Sequence, residues 1–118
     1  MTGLMILKQA YSLLRDDNRL AAVDGDEVGL AMVNQIYSEV WHREHRTRFQ
    51  PLDVLQQPLL LTYRFLPAMT YGTAMLLCVG GEQEAMHNRF QTLYRRALSH
   101  AGGIFDGRED TLWRQSQE

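Results

Sequence analysis

The chain has 118 residues, of which 45% are hydrophobic, enough for one domain with its own core. Twelve basic and fourteen acidic residues give a formal net charge of −2, which argues against a general binder of nucleic acid or anionic membranes. The single cysteine, Cys78, excludes an internal disulfide and a Cys-based zinc site.

Two helices are predicted in the first half of the chain. Apolar residues at helical spacing predict the first from about Leu4 to Arg15. The acidic connection Asp24-Gly25-Asp26-Glu27 suits the start of a second helix, which we expect from about Asp26 to Arg46, because acids stabilise a helix N-terminus.

The second helix carries more apolar surface than one packing face requires. Val28, Met32, Ile36 and Val40 form one stripe, while Tyr37 and Trp41 belong to another. Two interpretations follow. The helix lies in the centre of a small bundle, or the edge formed by Tyr37 and Trp41 contacts another protein chain.

A third helical region is predicted from Pro58 to about residue 79, kinked or broken at Pro67. Because its only charge is Arg64, a transmembrane span has to be considered. Arg64 and Pro67 near the middle of the run argue against one, so we expect a buried core helix. Gly72 and Ala74 lack bulk and would let a neighbouring helix approach closely.

The fourth helix has the clearest amphipathic pattern. It is predicted to begin near Glu82 or Glu84 and to end at Gly102-Gly103. Arg89 and Arg96 flank its apolar face. Such a row can be simply solvated, can pair with carboxylates of neighbouring subunits, or can contact phosphates.

Residues 1–101 are therefore predicted to form a helical domain, and residues 102–118 a C-terminal docking tail. The tail contains Phe105, Leu112 and Trp113, which are costly to leave in water. It either frays, as tails usually do, or docks on this domain or on a partner.

No catalytic, cofactor or metal site is predicted. His42 and His45 with Glu44 between them do not have the H-E-x-x-H spacing, and no third ligand is specified nearby. Phosphate-binding glycine patterns and a nucleophile elbow are absent from the sequence. Cys78 lies in an apolar stretch and is expected to be a core residue.

Two segments resemble the head–tail connector (adaptor) proteins of tailed bacteriophages and prophages. Leu66-Pro67 followed by Tyr71-Gly72-Thr73-Ala74 is similar to their "leucine, proline, then Tyr-Gly-x-Ala" helix. Phe90 and Tyr94 are similar to their final "Phe-x-x-x-Tyr" helix. The resemblance covers about residues 4–101.

The resemblance implies a non-enzymatic virion protein. Such a protein forms a homo-oligomeric ring in the neck, between the portal protein and the stopper or tail proteins, around the channel through which double-stranded DNA passes without sequence-specific binding. It assembles in the host cytoplasm, and its C-terminal segment reaches the portal.

The sequence thus predicts an all-α, four-helix bundle-like domain with an extended C-terminal tail, no membrane contact and no cofactor. The rival interpretation is a small helical regulatory module that binds one partner without forming a ring. The contacts are assigned to seven residues: Tyr37, Trp41, Arg89, Arg96, Phe105, Leu112 and Trp113.

Overall fold

The computed structural model of the chain describes residues 1–78 and 83–106, the last four of these by their backbone alone. Across these residues the fold is all-α and contains no strand, which confirms the predicted class. The helices are α1 (Gly3–Leu13), α2 (Asp17–Ala21), α3 (Glu27–Glu44), α4 (Leu66–Leu77) and α5 (Glu84–Asp106), with short 3-10 turns at Val23–Gly25 and Tyr63–Phe65.

Helix α1 ends two residues before the predicted Arg15 because the backbone turns left-handed there. Arg15 has a φ of 56°, and the Asp16 amide behind it donates to the Tyr11 carbonyl at 3.0 Å. This is a Schellman-type ending built on a residue other than glycine. Asp16 then caps the short helix α2 by accepting from the Arg19 amide, a helix that the polar composition of this stretch did not predict.

Asp26 begins α3 and also ties it to α1. Its carboxylate accepts a hydrogen bond from the Gly29 amide at 2.8 Å and another from the Tyr11 hydroxyl. The predicted helix start at this acid is confirmed. Gly29 lets the two helices approach closely, since a Cβ there would lie 2.4 Å from Cδ2 of Leu7.

The third predicted helix begins at Leu66 rather than at Pro58, so this prediction was wrong in its first part. Side chains of α3 hold the intervening segment in another conformation. The Leu60 amide donates to the Tyr37 hydroxyl at 2.9 Å, and the Thr62 amide donates to the Glu44 carboxylate at 2.9 Å. These amides therefore donate to side chains of α3 instead of to the carbonyl groups of a helical turn.

Pro67 does not kink α4, because it lies in the first turn of the helix. The proline nitrogen cannot donate a hydrogen bond, but first-turn amides have no partner within the helix anyway. Pro58, expected to open this helix, instead pairs with Thr2 in an isolated antiparallel bridge.

The segment before α4 also holds the N-terminus of α1. The Gly3 amide donates to the Gln57 carbonyl at 3.2 Å, and the Leu4 amide donates to the Leu55 carbonyl at 2.7 Å. First-turn amides of α1 that lack a helical acceptor thus find one more than fifty residues along the chain.

Helix α4 is the centre of the fold, with α1, α3 and α5 packed around it. Gly72 lies where three helices meet. A Cβ at this position would be 2.8 Å from Cγ2 of Ile36 on α3 and 2.9 Å from the ring of Tyr94 on α5. Ala74 is completely buried. The prediction that Gly72 and Ala74 permit close helix packing is confirmed.

Helix α5 runs antiparallel to α4, and its buried face carries Phe90, Tyr94 and Leu98. The helix continues through Gly102-Gly103 to Asp106, so the predicted stop at the two glycines was wrong. Glycine lowers helix propensity by about 1 kcal/mol per residue relative to alanine, which weakens a helix without forbidding it.

One buried hydroxyl in α4 has no partner. Thr73 is fully buried, and its Oγ1 makes no hydrogen bond within the described part of the chain. By contrast, Oγ1 of the neighbouring buried Thr70 donates to Gln9 Oε1 of α1 at 2.8 Å.

We expect Thr73→Val to raise the free energy of unfolding by about 1 kcal/mol, because valine keeps the shape of threonine and removes an unsatisfied polar atom. Thr70→Val is the matched control and should lower it by about 1 kcal/mol, since the Gln9 side chain loses its partner. Urea unfolding followed by circular dichroism measures both. Destabilisation by Thr73→Val would mean that its hydroxyl has an acceptor in solution.

Candidate functional site

Tyr37 and Trp41 are core residues, which removes them from the predicted contact surface. They are only 1% and 7% exposed, and their rings pack edge-on against each other and against Phe49. Their polar atoms are also satisfied within the chain, since the Tyr37 hydroxyl accepts from Leu60 and the Trp41 indole donates to the Thr47 carbonyl at 2.9 Å. The segment after α3 covers the second apolar stripe that was expected to meet another chain.

Phe49 was missed by the sequence analysis. It lies in the irregular segment after α3, half-buried against Tyr37 and Trp41. Its only signal in the sequence is an aromatic residue within a polar stretch, which does not say which helix it covers.

Arg89 and Arg96 are exposed on α5. By helical periodicity they lie on one flank of its buried face, while the exposed Arg95 lies on the other side. Neither guanidinium forms an ion pair with a carboxylate of the described part of the chain.

The other three predicted contact residues are not placed by the structure. Phe105 belongs to α5 by its backbone, and its side chain lies outside the described part. Leu112 and Trp113 lie outside the described residues altogether. Their assignment to a docking tail stays a prediction.

The side chains of His42, Glu44 and His45 form hydrogen bonds with backbone groups and not with one another. His42 Nδ1 lies 2.7 Å from the Ser38 carbonyl, and His45 Nε2 lies 2.7 Å from the Leu60 carbonyl. Glu44 accepts from the Thr62 amide. Within residues 1–78 and 83–106, no group of three acidic, histidine or cysteine side chains could hold a metal ion.

Cys78 is buried at the end of α4, as the sequence predicted. Burial raises the pKa of its thiol, because removing water disfavours the thiolate. A thiol in this position is a poor nucleophile and behaves as a small core side chain.

The residues that carry the adaptor resemblance pack against one another. The rings of Tyr71 and Phe90 stack with centroids 6.5 Å apart, and Tyr94 lies against Gly72. The Tyr94 hydroxyl donates to Glu39 at 2.6 Å. Burial, and then the bond to Glu39, raise the pKa of Tyr94, so this phenol stays a hydrogen-bond donor. The resembling motif thus defines the crossing of α4 and α5 rather than a reactive site.

The exposed apolar surface comes from a different set of residues than the sequence suggested. Eight large apolar side chains of the described chain are exposed: Met1, Met5, Leu13, Val28, Val54, Leu60, Tyr63 and Met86. Two of them, Met5 and Leu13, lie on the outer face of α1. The opposite, buried face of this helix is lined by Ile6, Leu7, Ala10 and Tyr11. An apolar residue on the outer face of a helix was the signal that could have identified them.

An open groove lies between α1 and α4. One side of it is lined by residues of α1, namely Lys8, Gln9, Ser12 and Leu13, and the other by residues of α4, namely Pro67, Thr70 and Tyr71. Its volume is about 500 Å³, and its lining is mostly apolar. No residue here forms a catalytic arrangement; the groove is suited to receiving an apolar side chain.

The chain matches no known protein-family model, no curated protein and no solved structure. None of the helices described is both long enough and apolar enough to cross a lipid bilayer.

Proposed function

We propose that the chain is a structural head–tail connector, an adaptor that forms a ring between the portal and the stopper or tail proteins of a phage or prophage. The observation that carries the proposal is the surplus of exposed apolar side chains. Although the core is filled, residues as large as Leu60 and Tyr63 remain 63% and 84% exposed. Burying such side chains between protein chains would remove apolar area from water, which favours association.

The distribution of this surface favours a ring over a single docking site. Leu13 lies on α1, Val28 at the start of α3 and Met86 at the start of α5. A ring needs two different complementary surfaces on each subunit, because every copy contacts its two neighbours through unlike faces. A regulatory module that binds one partner needs only one.

In this arrangement Arg89 and Arg96 contribute to contacts of the ring, whereas the aromatic edge of α3 is buried and does not. Their guanidinium groups would pair with carboxylates of a neighbouring subunit, or line the channel beside the DNA backbone. The near-neutral net charge of the chain is compatible with a channel wall along which DNA slides without being held. In this proposal the protein acts in the virion neck after assembly in the host cytoplasm.

The test is to mix the purified protein with portal complexes from the genome that encodes it and to image the product by electron microscopy. We expect a ring of density on the portal, coaxial with its channel. Arg89→Glu with Arg96→Glu should reduce ring formation, whereas Arg95→Glu, on the opposite flank of α5, should not.

Two results would count against the proposal. A protein that never decorates the portal is not an adaptor. A protein that instead captures a single partner in a one-to-one complex, with no ring at any concentration, is the regulatory module.

A further inference from the structure

The α1–α4 groove leaves large apolar side chains exposed along its walls. Leu13 is 43% exposed, Pro67 is exposed, and Tyr71 is half-buried along its floor. Lys8, the only lysine of the chain, and the hydroxyl of Ser12 also line it. The groove therefore offers apolar contact together with one cation and several hydrogen-bond acceptors, the Ser12 hydroxyl among them.

The chain leaves α5 close enough to return to this groove. Tyr71 stacks on Phe90, and Asp106 lies sixteen residues after Phe90, or about 24 Å along the helix. Pro67 is displaced from Tyr71 by about 6 Å toward the same end of the fold, since α4 and α5 are antiparallel. About 18 Å along the axis thus separates Asp106 from the Pro67 end of the groove.

Seven residues lead from Asp106 to Trp113. An extended chain spans at most about 3.3–3.6 Å per residue, so this segment reaches about 23–25 Å. The groove is also displaced sideways from α5 by about the 8–10 Å that separates packed helices, so the direct distance is about 20–21 Å. A nearly extended segment therefore brings Trp113 to the Pro67 end of the groove of its own chain without any change in the helices. Leu112, six residues from Asp106, spans about 20–22 Å and reaches the edge of the groove.

The chemistry of the segment matches the groove. The indole of a tryptophan has a large apolar body and an N–H that needs an acceptor when buried, which Ser12 can supply. Glu109 and Asp110 precede Leu112, where Lys8 can face them. We propose that Leu112 and Trp113 occupy the α1–α4 groove of the same chain in the free protein, which would cover part of the surface that a partner otherwise meets.

Fluorine NMR on the full chain carrying fluorotryptophan tests this proposal. Two signals are expected, one from Trp41 and one from Trp113, and Trp113→Phe assigns them. We expect the Trp113 signal to differ from that of a peptide of residues 107–118. Leu13→Glu, which places a charge in the groove, should shift it to the position of the peptide. The buried Trp41 reports in the same spectrum that the core is intact.

Val28→Glu is the matched control, because Val28 is exposed on α3, outside the groove. It should leave the Trp113 signal unchanged. A Trp113 signal at the position of the peptide in the unmodified protein, or one that Leu13→Glu does not move, overturns the proposal. So does a signal that changes on dilution, since a second copy would then supply the segment. None of these results depends on whether the protein binds the portal, so this proposal can fail while the proposed function holds, and the reverse.

Discussion

Gly72→Ala should destabilise the protein although alanine is the better helix former. The new Cβ would lie 2.8–2.9 Å from Ile36 and Tyr94, so at least one of them has to move. Overpacking of a filled core costs about 1–3 kcal/mol, which exceeds the roughly 1 kcal/mol gained in helix propensity. We therefore expect the free energy of unfolding to fall by up to about 2 kcal/mol, measured by urea unfolding.

Gly102→Ala is the control for this prediction. Gly102 also lies inside a helix, but a Cβ there would have no described atom within 4 Å. It should stabilise the protein by about 0.5–1 kcal/mol through helix propensity alone. If both alanines stabilised the protein equally, Ile36 and Tyr94 would not be closely packed on α4, and the three-helix crossing would be looser than described.

Asp26→Ala is expected to have the largest effect on stability, with a loss of about 3 kcal/mol. Two interactions end at this carboxylate. Removal of the cap from the Gly29 amide costs about 1 kcal/mol, and the buried Tyr11 hydroxyl, left without its acceptor, costs about 1–3 kcal/mol more. Thermal and urea unfolding both measure the change.

Two further variants separate these contributions. In a Tyr11→Phe background the same substitution should cost only the cap, about 1 kcal/mol, because no hydroxyl is left unsatisfied. Asp16→Ala also removes a helix cap, but α2 buries no residue, so its loss should stay below about 1 kcal/mol. Equal losses for Asp16→Ala and Asp26→Ala would contradict the role of Asp26 in joining α1 to α3.

Those parts of the fold that depend on neighbours in sequence were predictable. Asp26 next to an apolar run marked the start of α3, and the lack of bulk at Gly72 marked a close helix contact. Arg15 shows the limit of this reasoning, since it adopts a left-handed conformation without the glycine that usually signals one.

What could not be predicted depends on contacts between distant residues. Pro67 is compatible with either a kink or a first helical turn, and the choice is made by Tyr37 and Glu44, which bind the amides of Leu60 and Thr62. The same contacts bury the aromatic edge of α3. The breadth of the apolar arc is thus explained by contacts within the chain, as expected of a helix in the centre of a small bundle.

The hydrogen bonds from the start of α1 to residues 55–57 also bear on the order of folding. Closing a loop of this length costs entropy before any contact repays it, whereas α4 and α5 are neighbours in sequence. Docking of α1 is therefore expected to be a late step. Because α1 supplies one wall of the groove, the groove is complete only once this late step has taken place.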